Sequence, residues 1–369
     1  MRRRVIALFA AALAGAGAAA YGTPAFADTR QDQWHLSYLK IDEAHRISTG
    51  KGVTVAVIDS GVAKHPDLPG VVSGTDLFKP GGDGRTDLTG HGTSMAGLIA
   101  AHGNSRKRAL GIAPDAKIIP IRVLGKGRTI GSLGPAVRYA ISHGAKVINI
   151  SLGGGVAPDD IKGIQEAEEA DVVVVAGAGN KPDATSVAAP AFLESVVAVG
   201  AVDRNGKQAA ISVSGEALDI AAPGQDIAST GRTGGYIVGQ DGTSDAAAIV
   251  SGAAALLRSK YPNMSAAEVV ERLESTAVDK GAPGVDPDYG HGIIDIVAAL
   301  KGPAASAPPS SAAPAPTTTT AAAPAPAPQA EPEPASSNTP LIISGVAVLI
   351  LLGGLAAFLL ARRRSHPRS

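Results

Sequence analysis

Four polar residues stand in settings where they could do chemistry. Asp59 directly follows an apolar run, and Asn180 closes another. His91 lies in Gly-His-Gly-Thr-Ser at the start of a helical pattern, and Ser244 opens an alanine-rich one. These residue types suit nucleophilic hydrolysis, because a serine hydroxyl needs a base of near-neutral pKa and the resulting imidazolium needs a buried anion.

Each of these residues also has a purely structural interpretation. Serine is a frequent helix N-cap, and Ser244 considered alone favours that role. Asn180 suits a turn, and a polar residue such as Asp59 commonly ends a parallel strand. Seven other histidines occur, although none has the glycine-flanked setting of His91. Only the four residues taken together therefore favour a chemical function.

The elements that must position these residues follow a regular alternation. Short apolar runs rich in β-branched residues predict strands at 53–58, 118–123, 147–150, 172–176 and 196–199. Helical patterns fall between and after them, at 135–142, 159–170 and 265–276. Continuous apolar strands alternating with helices indicate an α/β fold whose parallel sheet is covered on both faces. Ligands of such folds bind beyond the carboxyl ends of the strands, where Asp59 and Asn180 stand.

The four residues, in this chain order and with gaps of 32, 89 and 64 residues, resemble the subtilisin-like serine proteases. The resemblance covers nearly all of residues 34–300. It rests on the motifs Val-Ile-Asp-Ser-Gly, His-Gly-Thr-Ser, Ser-Leu-Gly, Ala-Gly-Asn and Gly-Thr-Ser, which occur in that order. It implies a subtilisin-like three-layer fold with a mostly parallel central sheet.

The resemblance also implies a role for each residue. Ser244 would be the nucleophile, His91 the general base and then acid, and Asp59 the carboxylate that orients His91. Asn180 would donate a side-chain N–H to the oxyanion, together with the backbone N–H of Ser244. The segment Ser151, Leu152 and Gly153 would line the primary specificity pocket and pair with an extended substrate strand.

Two positions depart from the family pattern in the helix that carries Ser244. Ala248 stands where the family usually has proline, and Asp245 stands where an apolar residue often follows the serine. Neither change removes a catalytic atom. Asp245 does place a carboxylate beside the nucleophile, where it could lower activity or alter substrate preference.

Composition excludes several other classes of protein. The chain has no cysteine, which rules out disulfides, cysteine-ligated zinc and a thiol nucleophile. Its 33 basic and 33 acidic residues balance, so no bulk charge attracts nucleic acid. Asp83 with Asp87, or Asp286 with Asp288, could hold a structural calcium ion, but loop carboxylates are usually solvated. We therefore predict no cofactor and no metal site.

Both ends of the chain predict targeting segments. Residues 1–27 combine three arginines, an apolar stretch and Ala-Phe-Ala, which is typical of a cleaved signal peptide. Residues 341–361 carry no charge and are long enough to span a membrane. The basic segment 362–369 follows, so the positive-inside rule places it in the cytoplasm. The alternatives are an uncleaved N-terminal anchor and a C-terminal glycolipid-anchor signal, although such a signal normally lacks a basic tail.

A proline-rich segment, residues 303–340, joins the predicted domain at 28–302 to the predicted membrane helix. It contains 11 prolines and no aromatic residue, so we expect a disordered stalk. The domain would then be extracellular and tethered to the cell membrane by a single span.

This order of segments resembles the mycosins, the membrane-anchored subtilases of type VII secretion systems in actinobacteria. The resemblance implies a serine endopeptidase that acts on protein or peptide substrates and contacts membrane components of the secretion system. The alternative is a subtilase-fold scaffold that stabilises a membrane secretion complex, with proteolysis dispensable. A subtilase anchored outside that system is a third interpretation.

Overall fold

A computed structural model of the protein describes residues 29–125 and 131–302. The helices in chain order are α1 (Thr29–Asp32), α2 (Trp34–Tyr38), α3 (Ile41–His45), α4 (His91–Ala100), α5 (Leu133–Ser142), α6 (Pro158–Glu169), α7 (Thr243–Lys260), α8 (Ala266–Ser275) and α9 (Ile296–Lys301). The strands are β1 (Thr54–Asp59), β2 (Thr75–Asp76), β3 (Lys117–Arg122), β4 (Val147–Ile150), β5 (Val173–Gly177), β6 (Val197–Val202), β7 (Ile220–Pro223), β8 (Ile227–Thr230) and β9 (Tyr236–Gln240).

Seven of these strands form one sheet in the order β2-β3-β1-β4-β5-β6-β7. All neighbours in it are parallel, and β1 pairs with β4 from Val55 opposite Val147 to Ile58 opposite Ile150. Parallel strands align their carboxyl ends at one edge, and β1, β4 and β5 are consecutive neighbours. The segments that follow these three strands therefore emerge side by side.

Helices cover both faces of the sheet. Successive side chains of a strand point to opposite faces, so Val55 and Val57 of β1 belong to one apolar cluster and Ala56 and Ile58 to another. The first cluster includes the buried sides of α4 and α7, and the second includes those of α5 and α6. The predicted α/β fold with a mostly parallel, doubly covered sheet is confirmed.

The predicted strands and helices also agree closely with the structure. Strand β4 has the predicted bounds, and β1, β3 and β5 are displaced by one residue. The prediction missed β2, β7 and the antiparallel hairpin of β8 and β9. Strand β2 has only two residues, β7 ends in proline, and β9 is half exposed, so none of them presents a long apolar run.

The predicted signal peptide, stalk, membrane span and basic tail lie outside the described residues, and those predictions stay as they are. Within residues 29–125 and 131–302, no helix has the combined length and hydropathy needed to cross a bilayer.

Candidate active site

Asp59 and His91 are held together at the carboxyl edge of the sheet. Asp59 is the last residue of β1 and is fully buried, whereas His91 is the first residue of α4 and its side chain is 36% exposed. Nδ1 of His91 lies 2.8 Å from Oδ2 and 3.0 Å from Oδ1 of Asp59. The backbone N–H of Ser60 donates to Oδ1 of the same carboxylate at 2.6 Å. The contact between Asp59 and Nδ1 directs the other ring nitrogen of His91, Nε2, away from Asp59.

Charge strongly favours the protonated form of His91. Removal from water by itself lowers the pKa of His91, but attraction and a hydrogen bond to Asp59 oppose this effect. The charges of Asp245 and Asp87 add to that attraction, and together these carboxylates raise the pKa of His91 to about 9.

Helix α4 can approach Asp59 this closely because its second residue is glycine. A Cβ on Gly92 would lie 2.2 Å from the carbonyl oxygen of Gly61 and 3.1 Å from Cβ of Asp59. Gly90, just before the helix, has φ of 92°, in the left-handed region that favours glycine. The two glycines flanking His91 therefore have separate structural reasons.

Asp87 organises the start of the same helix. Its carboxylate accepts five hydrogen bonds of 2.6–3.0 Å, from the Ser60 hydroxyl, the N–H groups of Thr89 and Gly90, and both the N–H and the hydroxyl of Thr93. An anion before the first turn suits the unpaired N–H groups there. The sequence interpretation considered Asp87 only as a calcium ligand and missed this positioning role.

Ser244 lies within the first turn of α7. The helix begins at Thr243 with Gly242 as its N-cap, so the N-cap interpretation of Ser244 is wrong. Its hydroxyl donates to the carbonyl oxygen of Ser151 at 3.4 Å, a long contact, and makes no hydrogen bond to His91 within the described residues. Catalytic hydrogen bonds are often long or absent before substrate binds. A rotation about the Cα–Cβ bond of Ser244 would be needed to turn its hydroxyl towards His91.

Asn180 follows β5 and is oriented by the start of α7. Its Oδ1 accepts hydrogen bonds from the N–H of Thr243 at 2.9 Å and from the Thr243 hydroxyl at 3.1 Å. This use of Oδ1 assigns the amide orientation and leaves the NH₂ group as a donor. The N–H of Ser244 belongs to the same first helical turn, whose N–H groups lack partners within the helix. Both nitrogens border the same space, because a Cβ on Gly242 would lie 3.6 Å from the Ser244 nitrogen and 3.8 Å from Nδ2 of Asn180.

A buried polar chain fixes α7 against the sheet beneath Ser244. The Ser251 hydroxyl donates to Oδ1 of Asn149 at 3.0 Å, and Nδ2 of Asn149 donates to the Ser151 hydroxyl at 2.9 Å. That hydroxyl in turn donates to the carbonyl oxygen of Ser244 at 3.2 Å. The sequence interpretation missed Asn149 and Ser251. An asparagine inside the apolar strand Val-Ile-Asn-Ile is the signal that could have identified the chain.

Two cavities meet at Ser244. One, of about 470 Å³, extends along Ser151, Leu152 and Gly153 towards the loop 183–188. The other is a cleft of about 850 Å³ that also contains His91. Residues 151–153 and Asn180 line both. The structure thus brings every sequence-predicted site residue to one cleft, with Asp59 buried behind His91.

The two departures in α7 have different surroundings. Ala248 is fully buried in the apolar core, away from the cleft. Asp245 is only 4% exposed but lines the larger cleft, and Gln240 Nε2 donates to its Oδ1 at 3.4 Å. Burial raises the pKa of Asp245 to about 6, although the nearby charge of His91 opposes the shift.

The aspartate pairs considered for calcium, Asp83 with Asp87 and Asp286 with Asp288, do not belong to larger groups of ligands. Among the described residues, no three histidine, aspartate or glutamate side chains form a group that could hold a metal ion.

Comparisons with known proteins give a consistent result. The model of the subtilase family, Peptidase_S8, matches residues 50–292. Subtilisin BL from Lederbergia lenta is 38% identical over 272 residues, which are 73% of this chain and 98% of that protein. Mycosin-4 from Mycobacterium tuberculosis is 36% identical over 324 residues, covering 74% of this chain and 71% of that protein.

Solved structures agree with the sequence relatives. The crystal structure of MycP1 with the N-terminal propeptide removed matches with a TM-score of 0.66 at 33% identity, over 72% of this chain and 96% of that one. The MycP3 protease from the type VII (ESX-3) secretion system matches with a TM-score of 0.63 at 34% identity, over 72% and 87% of the two chains.

Proposed function

Because the chain belongs to the subtilase family and is a serine endopeptidase, we propose that Ser244, His91 and Asp59 carry out its peptide-bond hydrolysis. The observation that carries this proposal is the 2.8 Å contact between Nδ1 of His91 and the buried Asp59, in a cleft that His91 shares with Ser244. A hydroxyl, an imidazole and a buried carboxylate are the groups that an acyl-transfer mechanism requires.

In the proposed first step, Nε2 of His91 takes the proton of the Ser244 hydroxyl while Oγ attacks the substrate carbonyl carbon. The positive imidazolium that forms is stabilised by the ionised Asp59. His91 then gives the proton to the leaving amine, the peptide bond breaks, and an acyl-enzyme remains. Water, activated by the same Nε2, hydrolyses the ester and restores Ser244.

The transition state carries negative charge on the former carbonyl oxygen. In the proposed mechanism the NH₂ group of Asn180 and the N–H of Ser244 donate to that oxygen. The bonds from Thr243 to Oδ1 of Asn180 support this role, because they hold the amide in place before the charge develops. Residues 151–153 would receive the substrate strand on the acyl side, as they line the cavity on that side of Ser244.

We further propose that the protein is anchored in the cell membrane with its catalytic domain outside, and that it serves type VII protein secretion through contacts with membrane components of that system. The uncharged segment 341–361 and the arginines that follow it support anchoring. The similarity to Mycosin-4 and to the MycP3 protease from a type VII system supports the secretion role.

A fluorophosphonate probe tests the catalytic proposal. Full-length protein in detergent should be labelled covalently, and Ser244→Ala should take no label. His91→Ala should be labelled far more slowly, because the hydroxyl loses its base. Ser259→Ala, on the same helix, is the matched control and should label normally. Equal labelling of wild type and Ser244→Ala would refute the assignment of the nucleophile.

A further inference from the structure

The cleft beside Ser244 contains a carboxylate that the proposed reaction does not use. Asp245 follows Ser244 in the first turn of α7 and is only 4% exposed, yet it lines the larger cleft together with His91. Gln240 of β9 donates to it at 3.4 Å, and the Gln240 amide is itself held at 2.8 Å from the Ser94 hydroxyl of α4. When His91 is neutral and its charge no longer acts on Asp245, this is weak compensation for a buried anion.

The chemistry of the site decides which part of a substrate meets Asp245. His91 must protonate the leaving amine, so the residue after the scissile bond passes on the side of Ser244 where His91 lies. The acyl part lies on the opposite side, along the smaller cavity, which extends towards the loop 183–188 and which His91 does not line. Asp245 and Gln240 line the cleft with His91 and are not part of that second cavity. Asp245 is therefore on the leaving-group side.

Apart from His91, which must be neutral to act as the base, the charged residues on that side have one sign. Among described residues, the cleft is lined by two carboxylates, Asp241 and Asp245, and by no lysine or arginine. Arg232 packs beside Gly90, but its Nη1 donates to the carbonyl oxygen of Leu88 rather than to Asp245. Asp241 is exposed, and its Oδ1 accepts a bond from the N–H of Asp226. Asp245 is the less screened of the two anions because it is buried.

We propose that Asp245 makes the leaving-group side of the cleft select lysine or arginine as the residue that follows the scissile bond. This inference rests on the proposed catalytic function and names a substrate class for the same site. The ammonium or guanidinium group would supply the charged partner that Gln240 does not. Asp245 is thus a specificity-determining residue rather than a member of the reacting set.

Acyl transfer to added amines isolates this side of the cleft. An N-acetyl-peptide p-nitrophenyl ester forms the acyl-enzyme, and amides of lysine, arginine, methionine and glutamate then compete with water for it. The ratio of captured lysine amide to captured methionine amide at pH 8 compares two nucleophiles of similar length on one acyl-enzyme. A change in the pKa of His91 alters both rates equally and leaves this ratio unchanged.

With full-length wild-type protein we expect lysine and arginine amides to be captured about tenfold better than methionine amide, and glutamate amide least of all. Asp245→Asn should bring the ratio of lysine to methionine capture close to one. Asp241→Asn is the matched control and should keep most of the preference, because that carboxylate is exposed. Asp245→Ser provides the same comparison if Asp245→Asn does not fold.

The outcomes test the inference about Asp245 and the proposed catalytic function separately. A wild-type ratio near one, or a ratio unchanged in the Asp245 variants, overturns the inference while ester hydrolysis still supports the serine mechanism. Absence of any Ser244-dependent ester hydrolysis overturns the proposed function instead.

Discussion

Oδ1 of Asp59 accepts the N–H of Ser60 at 2.6 Å, and Oδ2 is the nearer of the two carboxylate oxygens to Nδ1 of His91, at 2.8 Å against 3.0 Å. Asp59→Asn should keep the first contact and turn its NH₂ group towards Nδ1. His91 would then carry its proton on Nε2, where the base must be free. We expect kcat to fall about 10⁴-fold with little change in KM, measured on a peptide substrate. Near wild-type kcat in the Asp59→Asn variant would contradict the assigned orientation.

The acid limb of the pH profile of kcat/KM should extend to alkaline pH. His91 acts as a base only when neutral, and its pKa is raised to about 9, so kcat/KM should rise with pH up to about that value. Asp245→Asn removes one of the charges that raise this pKa, and its acid limb should move to lower pH. Asp226→Asn, exposed and outside the cleft, should leave the limb in place. An identical limb in the Asp245 variant would show that this charge does not act on His91.

Removal of the amide donor of Asn180 should affect the transition state more than substrate binding. Asn180→Ala should lower kcat about 10²- to 10³-fold with a nearly constant KM. Asn180→Asp keeps an oxygen that accepts from Thr243 but replaces the donor by a negative charge. It should lose at least as much activity as Asn180→Ala. Recovery of activity in the aspartate variant would mean that Asn180 acts only by holding Thr243.

The buried chain beneath α7 should contribute to stability. Ser251→Ala leaves Oδ1 of Asn149 without its donor in a site that water does not reach, at a cost of about 1 to 3 kcal/mol in the free energy of unfolding. Ser259→Ala, near the exposed end of the same helix, should change it by less than about 0.5 kcal/mol. Urea-induced unfolding compares the two variants. Equal losses in the free energy of unfolding would show that the buried hydrogen bond contributes no more than the exposed serine.

Anchoring through residues 341–361 can be tested by fractionation. Full-length protein should stay with the membranes after an alkaline carbonate wash, and deletion of residues 341–361 should release it while probe labelling of Ser244 persists. If the deleted form remains in the membranes, this segment is not the anchor. Ser244→Ala in the same cells tests the scaffold alternative. The variant should not cleave substrate, and a scaffold role predicts that secretion nevertheless stays intact.

Sequence patterns located the strands and the residues that follow them because both depend on local order. The apolar run before Asp59 and the run before Asn180 are visible in a few consecutive residues. The bond between Asn149 and Ser251 joins positions 102 residues apart and depends on how α7 packs on β4, so no local pattern contains it. The contact of the Ser244 hydroxyl with the Ser151 carbonyl depends on the rotamer of Ser244, which the residue types do not specify.

Residues of β9 and of the loop 183–188 line the cavities around Ser244, whereas the reacting residues stand at the end of β1 and in the first turns of α4 and α7. The segments that line the cavities are thus largely separate from the elements that carry the reacting residues. Exchange of β9 and the loop 183–188 would therefore change which peptides the protein accepts and leave the spacing of the reacting residues as it is.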